Sequence, residues 1–217
     1  RLAGLAGVPR NTPTDSIDRL GIMNVLNKVM IERPQRKTEH LIKGRISIPH
    51  ARYFITLCTK DRKPGLTEPI LAGTIRETWR KQHAEKDYTL HCATIMPDHI
   101  HWLFTLGERL SLSQVISKFK SLTPIQQDWQ RNYFDHRLRA EDAKEPFSKY
   151  IFLNPYRKRL IQCDETWPWW TLSRHEKPEF IEHFIDGKSP PPEWINQGPQ
   201  LKDLVKQDTA LENEVET

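Results

Sequence analysis

The chain has 217 residues, 33 Lys and Arg against 28 Asp and Glu, and a net charge of +5. That length suits one sizeable domain with appended tails and is short for two full domains. Hydrophobic residues make up 37% of it, with seven Trp and eight Phe, which excludes a wholly disordered chain. No apolar run approaches the roughly 18–20 residues of a membrane span. Cys58, Cys92 and Cys163 are too far apart for a zinc-ligand pair and too few for a disulfide framework. A cytoplasmic protein with no membrane partner is the expectation. The charge is unevenly placed: residues 1–160 carry a net +12 and residues 161–217 a net −7. A body that basic suits a polyanion such as nucleic acid, and the acidic tail would either solubilise the chain or compete for the same surface.

In chain order, residues 1–46 read as an extension, with one amphipathic helix in "DSIDRLGIMNVLNKVMIERP" carried by Ile17, Leu20, Val25 and Met30. "RYFITLC", from residue 52, is β-branched and aromatic and predicts a strand. Residues 68–86 have helical spacing at Ile70, Leu71, Ile75 and Trp79. "YTLHCATIM" and "HIHWLFTL" predict two strands joined by a tight Pro97–Asp98 corner. A second helix runs through "LSQVISKFKSLTPIQQDWQ", broken near Pro124, and a short strand follows in "NYFDHRLR". The order β, α, β, β, α, β is that of an α+β, ferredoxin-like or RRM-like sandwich with an antiparallel sheet. A further helix over about 141–153 should stop before Pro155. The Pro-rich, then charged stretch from 188 onward predicts a largely irregular C-terminal tail. The organisation expected is an extension over 1–46, a main domain over 47–175 and an acidic, Pro-rich tail over 176–217.

Chemistry concentrates in "IMPDHIHWLF", residues 95–104. In a strand, His99 and His101 project to one face while Ile100 and Trp102 take the other. Two imidazoles at that spacing can hold one divalent cation, or they can simply be polar residues on a solvated face. A histidine-triad hydrolase would need a third His where Leu103 stands, and a metallo-β-lactamase pattern fails at Leu103 and Phe104. In "KYIFLNP", Tyr150 and Asn154 lie four apart on the third helix, on one face about a turn from each other. A tyrosine with an amide oxygen nearby could form a nucleophile and a third metal ligand. Singly, Tyr150 could equally be a core aromatic and Asn154 a helix cap. A tyrosine with its usual pKa near 10 attacks phosphorus poorly unless a cation polarises the phosphate.

"MPDHIHWLF", "WQRNYFDHRLR", "YIFLNPYRKRLI" and "WPWWTLS", in that order, resemble the REP-associated tyrosine transposases of the IS200/IS605-type single-tyrosine HUH superfamily. The resemblance covers about residues 44–175. It implies that His99 and His101 are the HUH histidines, Tyr150 the nucleophile and Asn154 the residue completing a Mg²⁺ or Mn²⁺ site. It further implies cleavage and rejoining of single-stranded or hairpin DNA, of the repetitive palindromic kind, through a 5′-phosphotyrosine link. Tyr133 and Tyr156 compete with Tyr150 for the nucleophile's role, but Tyr133 lies on the short strand and Tyr156 follows Pro155. Asp135 and His136 invite strand-edge hydrogen bonding rather than catalysis.

For DNA contacts the candidates are Lys118, Lys120, Arg131, Arg137, Arg139, Arg157, Lys158 and Arg159, which would grip phosphates. Trp167, Trp169 and Trp170 could stack bases or anchor the C-terminal segment. Two other readings stand beside the transposase: a palindrome-binding module that no longer cuts, and a relaxase or replication initiator, which commonly carries helicase parts; the sequence has no P-loop pattern. Monomer and homodimer are both open, and the acidic tail could fold over the basic surface and hold activity down.

Overall fold

A computed structural model describes residues 47–215, except 124, 126, 127 and 140–142, with side chains as far as Thr209. The helix expected in residues 15–34 and the extension 1–46 lie outside the described residues. Strand β1 (Arg52–Cys58), β2 (Tyr88–Met96) and β3 (His99–Leu106) occupy the segments whose β-branched and aromatic residues favour a half-buried pleat. Helix α1 (Pro69–Ala84) opens with a proline in its first turn, where the missing N–H costs nothing. Helix α2 (Leu112–Leu122) starts at a capping box in which Ser111 and Gln114 satisfy each other's backbone N–H groups, and it ends at Thr123, ahead of Pro124. Strand β4 (Phe134–Leu138) completes the βαββαβ unit. Helix α3 (Lys144–Arg157), strand β5 (Trp170–Leu172), a 3₁₀ turn at Glu179–His183 and helices α4 (Glu193–Gln197) and α5 (Leu201–Val215) follow.

The five strands pair antiparallel in the order β4-β1-β3-β2-β5. The two sheet faces divide the work. Ile55, Leu57, Ile95, Ile100, Trp102 and Phe104 bury one face against Ile75 and Trp79 of α1 and Val115 and Phe119 of α2. Phe54, Cys92 and Leu103 line the other, where Phe147 and Ile151 of α3 and Leu204 of α5 pack. Each large side chain buried this way contributes about 1.5–3 kcal/mol, so both faces are firmly held.

Four expectations need correction. Ile70, counted with Leu71, Ile75 and Trp79 in the helical apolar spacing, is 89% exposed, because Ala72, Ile75 and Trp79 define the buried stripe. Helix α3 runs past Pro155 rather than stopping before it. The proline falls in the last turn, and burial of Phe152, Leu153 and Tyr156 outweighs the hydrogen bond it cannot donate. The C-terminal segment is not irregular. Proline residues lead into α4, and Leu201, Leu204 and Val205 give α5 a short apolar stripe that charged neighbours conceal in the sequence. Strand β5 also escaped the sequence reading. It is three residues long and pairs with β2, and the Trp167 indole N–H donates to the Ile95 carbonyl at 3.2 Å beside it. Trp170 packs edge-on against Phe152 at 4.9 Å, so these tryptophans serve as anchors of the segment.

Candidate active site

Strand register brings His99 and His101 to the α3 face of the sheet at the end where β3 leaves the Pro97–Asp98 corner. Their Nε2 atoms face each other at 3.2 Å. The far nitrogens are both engaged. His99 Nδ1 donates to Asp98 Oδ1 at 2.6 Å, and His101 Nδ1 meets the hydroxyl of Thr56, its cross-strand partner on β1, at 2.9 Å. A carboxylate on Nδ1 puts the proton there and leaves the His99 Nε2 lone pair directed at His101. Two nitrogen lone pairs repel at that distance, and a positive charge between them would relieve the repulsion. Adjacent ligands of an octahedral ion held at about 2.1 Å lie about 3.0 Å apart. The separation of the two Nε2 atoms fits a hard divalent ion without rearrangement of the strand.

Helix α3 lies across this face with Tyr150 half-buried above the histidines. The Tyr150 ring is 5.4 Å from the His101 ring and 5.9 Å from Phe54, edge-on in both cases, while Phe54 stacks on His101 at 5.4 Å. One turn later, Asn154 is buried and its Nδ2 donates to the Tyr150 carbonyl at 2.9 Å. That bond turns the amide oxygen to the site, where Asn154 influences the ionisation of both His101 and Tyr150. Burial, aided by the charge of neighbouring His99, pushes the His101 pKa well below its ordinary value, so this imidazole is neutral at pH 7. Burial raises the Tyr150 pKa, partly offset by Asn154, Arg157 and Arg62. Unaided, Tyr150 is thus a weaker nucleophile than free tyrosine. Among the described residues no group of three His, Cys, Asp or Glu side chains could hold a metal.

The family model "Transposase IS200 like" matches residues 47–142. The match contains His99 and His101 and stops short of Tyr150 and Asn154. The chain is similar to a REP-associated tyrosine transposase of Escherichia coli K12, at 20% identity over 60% of this chain and 81% of that protein. It is also similar to a Haemophilus influenzae protein assigned to the same group, at 24% identity over 58% and 82% of the two chains. The solved structure of a REP-associated tyrosine transposase bound to a REP hairpin superposes with a TM-score of 0.51, at 21% identity over 58% of this chain and 79% of that one. That superposition shows a shared fold.

Within this fold the other tyrosines are structural. Tyr133 is buried in the core under the opposite sheet face, and the Tyr156 hydroxyl donates to the Glu165 carbonyl at 3.0 Å. The expected DNA-contacting cations fare unevenly. Lys118 pairs with Asp87 and Glu85 beside α2, on the face away from the histidines, and does not join the site. Lys120 donates to the Gln130 and Arg131 carbonyls. Arg157 is spent on the C-terminal segment, donating to the carbonyls of Ile195 at 3.2 Å and Pro199 at 2.6 Å. Arg139 takes Asp208 on its backbone N–H and Thr209 on its guanidinium. Arg137 is half-buried on β4, whereas Arg131, Lys158 and Arg159 are exposed. His136 Nε2 donates to Asp208 Oδ2 at 2.7 Å, both side chains buried, and so ties β4 to α5. Sequence reading missed Thr56, Asp98 and Arg62, whose Nη1 donates to Asp98 Oδ2 at 3.3 Å. The corner "PD" before H-x-H signalled Asp98; Thr56 is joined to the site only by strand pairing, which no local pattern encodes.

Proposed function

We propose that this chain cleaves and rejoins single-stranded or hairpin DNA by transesterification, with Tyr150 as the nucleophile. The observation carrying this reading is the convergence of the His99 and His101 Nε2 atoms beneath Tyr150 and Asn154, with each Nδ1 held from behind. Mg²⁺ or Mn²⁺ bound by His99, His101 and the Asn154 amide oxygen would polarise the scissile phosphate and stabilise the charge developing on it. The residues of the chain then have distinct parts. Asp98 and Thr56 fix the imidazole orientation, Asn154 ties the ligand set to the helix that carries Tyr150, and Phe54 packs both rings to limit their motion.

In the step itself the Tyr150 oxygen forms a bond to phosphorus, the bond to the 3′-oxygen breaks, and the tyrosine's proton is in net balance on the released 3′-hydroxyl. One phosphodiester is exchanged for another, so no ATP is needed and a second 3′-hydroxyl can reverse the exchange. Because burial raises the tyrosine pKa, attack depends on positive charge near the hydroxyl to ease loss of its proton, and Arg157 and Arg62 supply part of that charge. Hairpin recognition is supported by the relatives named above, one of which is solved on a REP hairpin. The test compares wild type with His101→Ala on labelled stem-loop oligonucleotides in Mn²⁺. The variant should still bind the stem-loop and release no strand with a free 3′-end; strand release at the wild-type rate would rule the site out.

A further inference from the structure

The ten-residue loop joining β1 to α1, residues 59–68, is held against the active-site corner by several hydrogen bonds. Buried Thr59 donates its hydroxyl to the Asp98 carbonyl at 3.0 Å and the Lys63 carbonyl at 2.8 Å, and Gly65 and Leu66 both donate to the Pro97 carbonyl. On its other side Lys60 N–H donates to the Asp128 carbonyl at 2.8 Å. Inside this frame Asp61 and Arg62 both sit at positive φ, 55° and 57°. Two successive non-glycine residues in the left-handed region cost about 1–2 kcal/mol each, so the loop maintains a conformation it would not choose. Its effect is to carry the Arg62 guanidinium over Asp98, on the His99 side of the site.

Arg62 is well placed for a substrate rather than for stability. Its contact with Asp98 is long at 3.3 Å, and the Arg62 side chain is 41% exposed. An exposed pair of that kind contributes about 0–1 kcal/mol, far less than the loop strain it would have to justify. The other Asp98 oxygen is already taken by His99 at 2.6 Å. The positive field of Arg62 nevertheless reaches Cys58, His101 and Tyr150. The groove continuing from this loop is lined by Lys60, Trp129 and Arg131. We propose that Arg62 is a further substrate-positioning residue, whose guanidinium exchanges its loose contact with Asp98 for a backbone phosphate of the DNA strand entering beside the histidine pair. The planar fork of five N–H donors matches a phosphate better than a lysine ammonium does.

This inference rests on the DNA-cleaving reading, and its test is chosen to fail separately from it. Binding of a labelled stem-loop with a short single-stranded flank is measured in chelator, without cleavage, over a range of salt concentrations. Arg62→Ala should weaken binding and lower the slope of log affinity against log salt by about 0.7, with Arg62→Lys keeping the slope. Replacing the flank's phosphates by uncharged methylphosphonates should weaken wild type by a larger factor than Arg62→Ala, which has already lost its phosphate contact. A merely structural role would leave the salt slope unchanged and let the neutral flank weaken both proteins by the same factor, and either result overturns the proposal. Absence of a covalent adduct with wild type would count against cleavage and leave this binding comparison decisive.

Discussion

At the scale of single residues, the site is two histidines whose backs are as well specified as their fronts. The alternation of β3 made His99 and His101 legible as one face, because a period of two is a local property of the sequence. Thr56 was not legible, since its place behind His101 follows from the β1–β3 register across 45 residues. If these partners fix the tautomers, Thr56→Val and Asp98→Asn should each lower Mn²⁺ affinity about 10–100-fold, read by calorimetry or by electron paramagnetic resonance of free Mn²⁺. Unchanged affinity in both variants would mean that the imidazoles orient themselves.

At the scale of elements, α3 positions the tyrosine and is clamped by segments that follow it. Arg157 draws the chain around α4 onto the end of α3, and Gly198 fits there only because it has no side chain. A Cβ at Gly198 would collide with Arg157 Nη2 and lie 2.7 Å from the Trp194 carbonyl. Gly198→Ala should therefore cost about 1–3 kcal/mol by overpacking, seen as a lower urea midpoint. Arg157→Ala should leave three carbonyls without their donor and destabilise by a similar amount. It should leave the salt dependence of DNA binding unchanged, in contrast to Arg62→Ala. The extent of α3 was misread because proline weighs heavily in local reasoning, while the buried contacts of Tyr156 beyond it are long-range. The order in α5 was hidden for the same reason: its apolar stripe is short, and Asp208, which reads as a surface charge, is buried on His136.

At the scale of the whole molecule, the element order β, α, β, β, α, β was sufficient to predict the sandwich, because each element carries its own periodicity. The basic surplus pointed to a polyanion but could not say which cations face it; ion pairs and carbonyls occupy Lys118 and Arg157. The buried histidines also set how the molecule responds to acid. Burial lowers the pKa of His91 and His136, only partly offset by Glu176 and Asp208. Below pH 6.5 the unfolded chain takes up protons there that the folded chain refuses, so stability falls as pH drops toward the folded-state values. The loss is at most about 1.4 kcal/mol per pH unit for each residue. Asp98 and Glu176, whose pKa values are lowered, lose their contribution only below the usual carboxylate range and do not mask the effect. The urea midpoint should fall between pH 7 and 5.5 at constant m; a flat or rising midpoint would contradict the burial of these imidazoles.

The central claim is that Tyr150 carries the broken strand. Wild type and Tyr150→Phe are incubated with labelled stem-loops bearing randomised single-stranded flanks, with Mn²⁺ or with chelator, and resolved under denaturing conditions. A labelled protein band in wild type with Mn²⁺, absent in Tyr150→Phe and in chelator, is the predicted result. A band that survives the loss of Tyr150, or stem-loop binding by wild type with no band at all, would contradict it.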